Sequence, residues 1–199
     1  MIILIIIFII AFLWSILGFF GSNVERADYT VKNKMKGYEI REYPAHIVAQ
    51  TKVKDSYKES MNEGFKILAG YIFGGNTKKE NIAMTAPVVA TANGDFQIIS
   101  FGMPRSYTLE TLPKPNDSRV EIAMVPAKKY GVIQFSFYPS ETRIKKEQEK
   151  LLSALTRDGI VSSGNIAYAG YNPPWTAPWM MRHEVLVELI NYTGDKFGF

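Results

Sequence analysis

Cysteine is absent from this 199-residue chain. That excludes disulfides and thiolate metal ligands, and leaves the redox compartment open. Histidine is nearly absent: His46 and His183 are the only two. There is no Gly-x-Ser-x-Gly elbow, no Gly-x-Gly-x-x-Gly and no phosphate-cradling glycine loop. His183-Glu184 starts like a zinc-protease helix, but position 187 is Val, not His, and the segment alternates like a strand. Glu42, Glu63 and Glu184 are scattered, and no spacing pairs two carboxylates for acid–base work. Charge of one sign is never concentrated. The net charge is +4, without a dense basic run, so nucleic acid is not an expected partner. That mild positive charge suits anionic lipid or a ligand bearing carboxylates. A binding module is expected rather than an enzyme.

What is present begins with an apolar run. From Ile2 to Phe20, Ser15 is the only clearly polar side chain. A helix of that length spans about 28 Å, close to a bilayer core. No Lys or Arg precedes it, and Phe19-Phe20-Gly21-Ser22 is a poor small-residue cleavage site. An uncleaved single-pass membrane anchor over residues 1–21 is therefore expected in preference to a signal peptide. Arg26, Lys32, Lys34 and Lys36 outnumber Glu25 and Asp28 just beyond it. By the positive-inside rule this favours a cytoplasmic domain. An anchor that exports its domain is the other arrangement, and the side of the membrane stays open.

Residues 22–36 read as a polar linker, 37–192 as the globular domain and 193–199 as a tail. Tyr38–Tyr43 and His46–Val53 read as strands broken by Pro44. A helix is expected over 55–73. Ser56-Tyr57-Lys58-Glu59 has the capping-box pattern, and Gly74-Gly75 ends the helix. Met61, Gly64, Phe65, Leu68 and Tyr71 share one of its faces. Strands are expected at Ile82–Met84, Val88–Thr91, Phe96–Phe101, 120–124 and 133–137, then a second helix from Ser140 to Arg157. The last strands are expected at Ile166–Tyr171 and Glu184–Ile190. Each half thus reads as strands, one amphipathic helix, Gly-Asn and another strand near a proline. The markers are Gly75-Asn76 with Pro87, and Gly164-Asn165 with Pro173. The expected class is α+β: two pseudo-symmetric halves sharing one antiparallel sheet, which curls into an open barrel flanked by two helices.

Three segments resemble one known family. Gly37-Tyr38-Glu39-Ile40-Arg41-Glu42-Tyr43 stands at the domain entrance, and Asn81-Ile82-Ala83-Met84-Thr85-Ala86-Pro87-Val88 lies mid-chain. Ala169-Gly170-Tyr171-Asn172-Pro173-Pro174-Trp175, followed by Arg182-His183-Glu184-Val185, lies near the end. In that order they resemble the SOUL haem-binding protein family, from about Tyr38 to Leu189. The resemblance implies a distorted antiparallel β-barrel with two helices. It also implies non-covalent binding of haem or another porphyrin in a cleft between the first helix and the C-terminal loop. Carried over residue by residue, the cofactor-binding set is Met61, Phe65, Leu68, Ala69, Tyr171, Trp175, Trp179 and Arg182. Asn62, Gly70 and Ala177 stand where ring-carboxylate cations are placed in members that have them, so Lys58, Lys66 and Arg182 are the substitutes. Glu42 stands where a ligating member carries an axial histidine. No metal site is expected; His46 is the leading candidate axial ligand, ahead of His183, and a structural role is favoured for both.

The apolar side chains of the 171–182 loop admit a second reading, in which Trp175 and Trp179 plug one end of the barrel. Two other functions stay open. One is a membrane-tethered module that binds a peptide or lipid in the same cleft; the other is an enzyme acting on a tetrapyrrole. The domain beyond the anchor is expected to be soluble and monomeric.

Overall fold

The computed structural model describes residues 24–54, 57–190 and 192. The expected anchor, Ser56 of the expected capping box and the C-terminal tail lie outside the described residues. Among the described residues no helix is long and apolar enough to cross a membrane.

The elements in order are β1 (Glu25–Arg26), β2 (Thr30–Met35), β3 (Tyr38–Tyr43), β4 (His46–Val53), α1 (Tyr57–Ile72), β5 (Thr85–Ala86), β6 (Val88–Asn93), β7 (Phe96–Gly102), β8 (Glu121–Val125), β9 (Lys128–Phe135), α2 (Glu141–Arg157), β10 (Ser162–Gly170) and β11 (His183–Leu189). A single 3₁₀ turn, Pro178–Met180, interrupts the loop before β11. The class is α+β: a nine-stranded antiparallel sheet in the order β2-β3-β9-β11-β10-β6-β7-β4-β8, with two helices. β1 and β5 form a small parallel pair beside it.

The sheet order contains the two halves. From its middle, β10-β11-β9-β3 runs one way and β6-β7-β4-β8 the other. In each half a strand (β4 or β9) leads through a helix to a hairpin-like pair (β6-β7 or β10-β11). The Gly-Asn and proline markers are not themselves equivalent. Asn76 is buried and holds the Tyr71 and Glu80 carbonyls with its side-chain amide, whereas Asn165 is exposed on β10.

Local chemistry fixes the element ends. Ser140 caps α2, its hydroxyl accepting from the Arg143 amide at 3.2 Å. α1 ends at Gly74, whose φ of +99° suits glycine. A Cβ on the next residue, Gly75, would meet the Gly70 carbonyl oxygen at 2.4 Å. Two segments differ from the sequence expectation. Ile82–Met84 is not a strand, because the Ile82 amide donates to the last helical carbonyl, Ile72, at 2.8 Å; the strand starts at Thr85. Residues 25–26 and 30–35, expected within the linker, are β1 and β2. The alternation of Lys32 and Lys34 that reads as polar tether is the charged outer edge of the sheet.

Strand alternation divides the sheet into two faces. Ile40, Ala49, Ala90, Ile99, Phe101, Ile133, Tyr168 and Val185 pack under the helices, against Leu68 and Tyr71 of α1 and Leu151 and Leu155 of α2. Tyr43, Val132, Ala169 and Leu186 pack together on the other face. That face encloses a cavity of about 410 Å³ that reaches from Tyr43 on β3 to Val125 on β8. In a flat sheet those strands would stand about 34 Å apart, several times the roughly 9 Å width of such a cavity. The sheet is therefore strongly rolled around it, with β2 and β8 at the two ends of its order.

Gly64 sets how closely α1 lies on the sheet. A Cβ there would stand 2.4 Å from Ile99 Cγ1 and 2.7 Å from Ile99 Cβ. Ile99 is fully buried, so it has little room to give. Gly64→Ala gains about 1 kcal/mol of helix propensity, but forced overpacking costs about 1–3 kcal/mol. A net loss of stability is expected in denaturant unfolding, with the midpoint moved to lower concentration and the slope unchanged.

Candidate functional site

One row of side chains crosses the helix-covered face. The register pairs Phe101 with Val88, Val88 with Gly170, Gly170 with His183 and His183 with Phe135. Directly opposed residues share a face. α1 lays Phe65 edge-on against Phe101, centroids 5.4 Å apart. At the other end Arg143 of α2 lies over the Phe135 ring at 5.4 Å. Between the helices the row runs through Val88 and Gly170; this stretch, the saddle, is covered by the Tyr168 side chain, whose hydroxyl would stand 3.2 Å from a Cβ on Gly170.

His183 sits in the floor of that saddle, 4% exposed. Its ring is stacked on Tyr168 at 5.8 Å, and Nδ1 is 2.7 Å from the Tyr168 hydroxyl. Nε2 is buried. Burial pushes its pKa down to about 4; the Phe137 backbone opposes this slightly and the Arg143 charge adds to it. The ring is neutral at pH 7.

The loop that flanks the saddle leaves β10 after Gly170. That is two strand spacings, about 10 Å, from the β7 row on which Phe65 rests. Its neck is closed by the Tyr171 amide, which donates to the Arg182 carbonyl at 3.1 Å. Thr176 and Ala177 are buried, and the Phe137 amide donates to the Pro178 carbonyl at 2.9 Å. This pinned core leaves Trp175 and Trp179 60% and 47% exposed. On α1, Phe65 is 38% exposed; Met61 and Ala69 are half-buried. Leu68 is wholly buried in the helix–sheet core.

Tyr171 and Arg182 take part in a different arrangement. They surround Glu184, which is 0% exposed and shares the face of Leu186, away from the helices. Glu184 accepts from Arg41 at 2.8 Å, from Arg182 at 2.7 and 2.9 Å and from the Tyr171 hydroxyl at 2.9 Å. Arg41 also pairs with Glu39 at 2.8 Å and lies over the Tyr29 ring. Burial pulls the Arg41 pKa down, but Glu184 outweighs it and the net shift is upward. Burial and then the Glu184 charge raise the Tyr171 hydroxyl well above its usual range. Arg182 is thus committed to a buried carboxylate. His46, the candidate axial ligand, lies on β4 in phase with Val48, and its Nδ1 is 2.9 Å from the Pro44 carbonyl oxygen. It also faces away from the helices, on the cavity side.

Of the eight residues carried over from the resemblance, Met61, Phe65, Leu68 and Ala69 lie on α1, Tyr171 and Arg182 join the Glu184 network, and Trp175 and Trp179 are exposed on the loop between those two. His183, Tyr168 and Phe135 are buried on the helix-covered face of the sheet. Their sequence signal was the alternation of His183 with Val185 and of Tyr168 with Ile166, on strands that end at the loop. The Glu184 network had a signal too: Arg41 alternates with Tyr43, and Glu184 with Leu186, so both charges fall at inward positions. Among the described residues, no three metal-ligating side chains cluster.

A rolled antiparallel sheet with two helices on its outer face defines an α+β domain. The chain belongs to the SOUL heme-binding protein family, whose pattern matches residues 24–188. It is 33% identical over 146 residues to heme-binding protein 2 of Homo sapiens, covering 69% of this chain and 71% of that protein. It is 28% identical over 156 residues to heme-binding protein 1 of Xenopus laevis, covering 74% and 81%. Its fold is similar to that of the EcmrR C-terminal domain, at TM-score 0.62 and 9% identity, over 82% of this chain and 99% of that one. A hydrolase from Listeria innocua has a TM-score of 0.57 at 11% identity, over 79% and 94%. At such identities the two structures share the fold alone.

Proposed function

We propose that this domain binds haem or a related tetrapyrrole non-covalently on its helix-covered side, between the Met61/Phe65/Ala69 face of α1 and the 171–182 loop. The observation that carries the reading is the exposure of Phe65, Trp175 and Trp179 on the two elements that border the saddle. Large aromatics left half in water are what a planar, mainly apolar ligand covers. Relatives named as heme-binding proteins support the choice of a tetrapyrrole. The ring faces would be held by apolar burial and the carboxylates would lie toward solvent, with Lys66, exposed on α1, as a cation within the same element. Neither histidine fits an axial role here: His46 is on the opposite face and His183 Nε2 is buried. Residues 1–21 would tether the domain to a membrane. The role is then buffering, carriage or sensing, with binding rather than catalysis as the activity.

Haemin titration of residues 23–199, followed by absorbance, tests this. Removing a half-buried indole forfeits roughly 1.5 kcal/mol or more, and 1.4 kcal/mol is tenfold in affinity. Trp179→Ala is expected to weaken binding about tenfold while the domain stays folded. His46→Ala is expected to leave both affinity and the Soret band unchanged. Unchanged affinity in Trp179→Ala, or a large spectral change in His46→Ala, would place the ligand elsewhere.

A further inference from the structure

The row of Phe101, Val88, Gly170, His183 and Phe135 marks one end of the sheet, because all five strands that it crosses begin or end within one residue of it. Beyond the row lie the 171–182 loop, residues 136–140, which lead into α2, and β5, which leads into β6. The first two are tied together, since the Phe137 amide donates to the Pro178 carbonyl at 2.9 Å. β1 pairs with β5 at the same end. Just after β1, the Tyr29 hydroxyl accepts from Arg182 Nη2 at 3.1 Å, and Val24, Ala27 and Tyr29 pack in the cluster that holds Tyr171. Val24 is the first residue described, and the apolar run of the sequence stops at Phe20, four residues earlier. Four extended residues reach at most about 14 Å. A bilayer that takes up this run is therefore held close to this end of the sheet.

The surface at this end has the chemistry of a membrane interface. Phe137, Tyr138, Trp175 and Trp179 are 51%, 57%, 60% and 47% exposed. Four large aromatics on two short loops exceed what a solvated turn requires, and the tetrapyrrole reading has no use for Phe137 or Tyr138. The Phe137 backbone has φ of +70°, a left-handed conformation unfavourable for a bulky residue. Cations stand beside the rings. Arg26 on β1 is exposed and has no ion pair among the described residues, whereas Arg105 holds Glu25 at 2.8 Å and Asp28 at 2.6 Å. Lys145 and Lys146 are exposed in the second turn of α2, with Glu141 one turn earlier as an exposed acid. Rings with one polar edge settle at the headgroup level of a bilayer, and Lys and Arg near that surface are drawn to anionic lipid.

We propose that this end of the domain is a second membrane contact. Phe137, Tyr138, Trp175 and Trp179 dip into the headgroup layer of the bilayer that holds the tether, and Arg26, Lys145 and Lys146 face anionic lipid. The proposal rests on the tether proposed above and not on the tetrapyrrole.

The two loop indoles are the reporters. In the full chain carrying Trp14→Phe, Trp175 and Trp179 are the remaining tryptophans. The chain would be reconstituted, without haemin, in vesicles of phosphatidylcholine and phosphatidylglycerol. Emission is expected to be blue-shifted from that of indole in water. Lipids brominated near the headgroup end of the acyl chain should quench it several-fold more than lipids brominated near the chain end. Phe137→Gly keeps the left-handed backbone and, combined with Tyr138→Ser, removes two rings, so quenching should fall several-fold. Lys145→Glu with Lys146→Glu, on the exposed side of α2, should lower it as well, even if the loop variant disturbs folding. A vesicle-bound chain whose loop indoles emit as in water and ignore both brominated lipids would overturn this contact alone. So would quenching indifferent to both pairs of substitutions, or indoles shielded from iodide but untouched by the brominated lipids, which would assign the patch to a second copy of the chain. A chain recovered away from the vesicles would overturn the tether and the contact together.

Discussion

Replacing Glu184 with alanine is expected to destabilise the domain by about 3–5 kcal/mol, the range for breaking a buried ion pair from one side. Glu184 is fully buried on β11, and the Arg41 side chain is 4% exposed. Without the carboxylate, two guanidinium groups face each other across an apolar region, with Glu39 as the remaining partner of Arg41. Arg182, 21% exposed at its side chain, regains water in part; Arg41 does not. The Tyr171 hydroxyl loses its acceptor as well. Glu184→Gln should recover part of the loss, because the amide oxygen still accepts. A surface pair gives the contrast. Lys32 and Glu42 are 2.7 Å apart but roughly 40% exposed, so Glu42→Ala should change stability by less than about 1 kcal/mol. Denaturant unfolding of both variants at pH 7 measures the difference. A loss below about 1 kcal/mol for Glu184→Ala would show that the network is not held by charge.

Acidification should weaken the fold through His183 before the bulk of the carboxylates titrate. An unfolded histidine takes up its proton near pH 6.5, whereas the folded one does so only near pH 4. Between those values the unfolded chain binds more protons, so stability falls as pH falls. The contribution is fully present above about pH 6.5 and is lost through the window down to about pH 4. One pKa unit is worth about 1.4 kcal/mol, so roughly 2–3 kcal/mol should disappear between pH 7 and 4.5. His183→Gln keeps an acceptor for the Tyr168 hydroxyl and does not titrate. Its stability advantage or deficit relative to the parent should therefore shift by that amount across the same interval. Parallel pH profiles for the two proteins would exclude His183 as the source.

The parts of this fold that follow from local chemistry were legible. The periodicity of Met61, Gly64, Phe65, Leu68 and Tyr71 marked α1, Ser140 marked the start of α2, and alternation marked β3 and β4. The division into halves was legible because each half repeats the same order of elements. Pairings between distant strands were not, since nothing local in β10 or β6 names its neighbour. The edge strand β2 was missed for a physical reason: Lys32 and Lys34 protect an open edge and look like tether. Trp175 and Trp179 stood out as apolar residues in excess of what a turn requires, and both are exposed. The commitment of Arg182 to Glu184 was hidden, because strand phase alone does not say which inward charges meet across three strands. The cavity was hidden too, because small residues such as Ala167 and Ser100 leave space only once the sheet has rolled.

Where a tetrapyrrole sits is read most directly by amide chemical-shift mapping of residues 23–199 titrated with zinc protoporphyrin, a diamagnetic stand-in for haem. Saturable perturbations are expected to cluster on residues 61–69 and 171–182 with one ligand per chain, and to spare Tyr43, Val89 and Ile98. Perturbations centred on those concave-face residues, or shifts that never saturate, would contradict a tetrapyrrole site between α1 and the C-terminal loop.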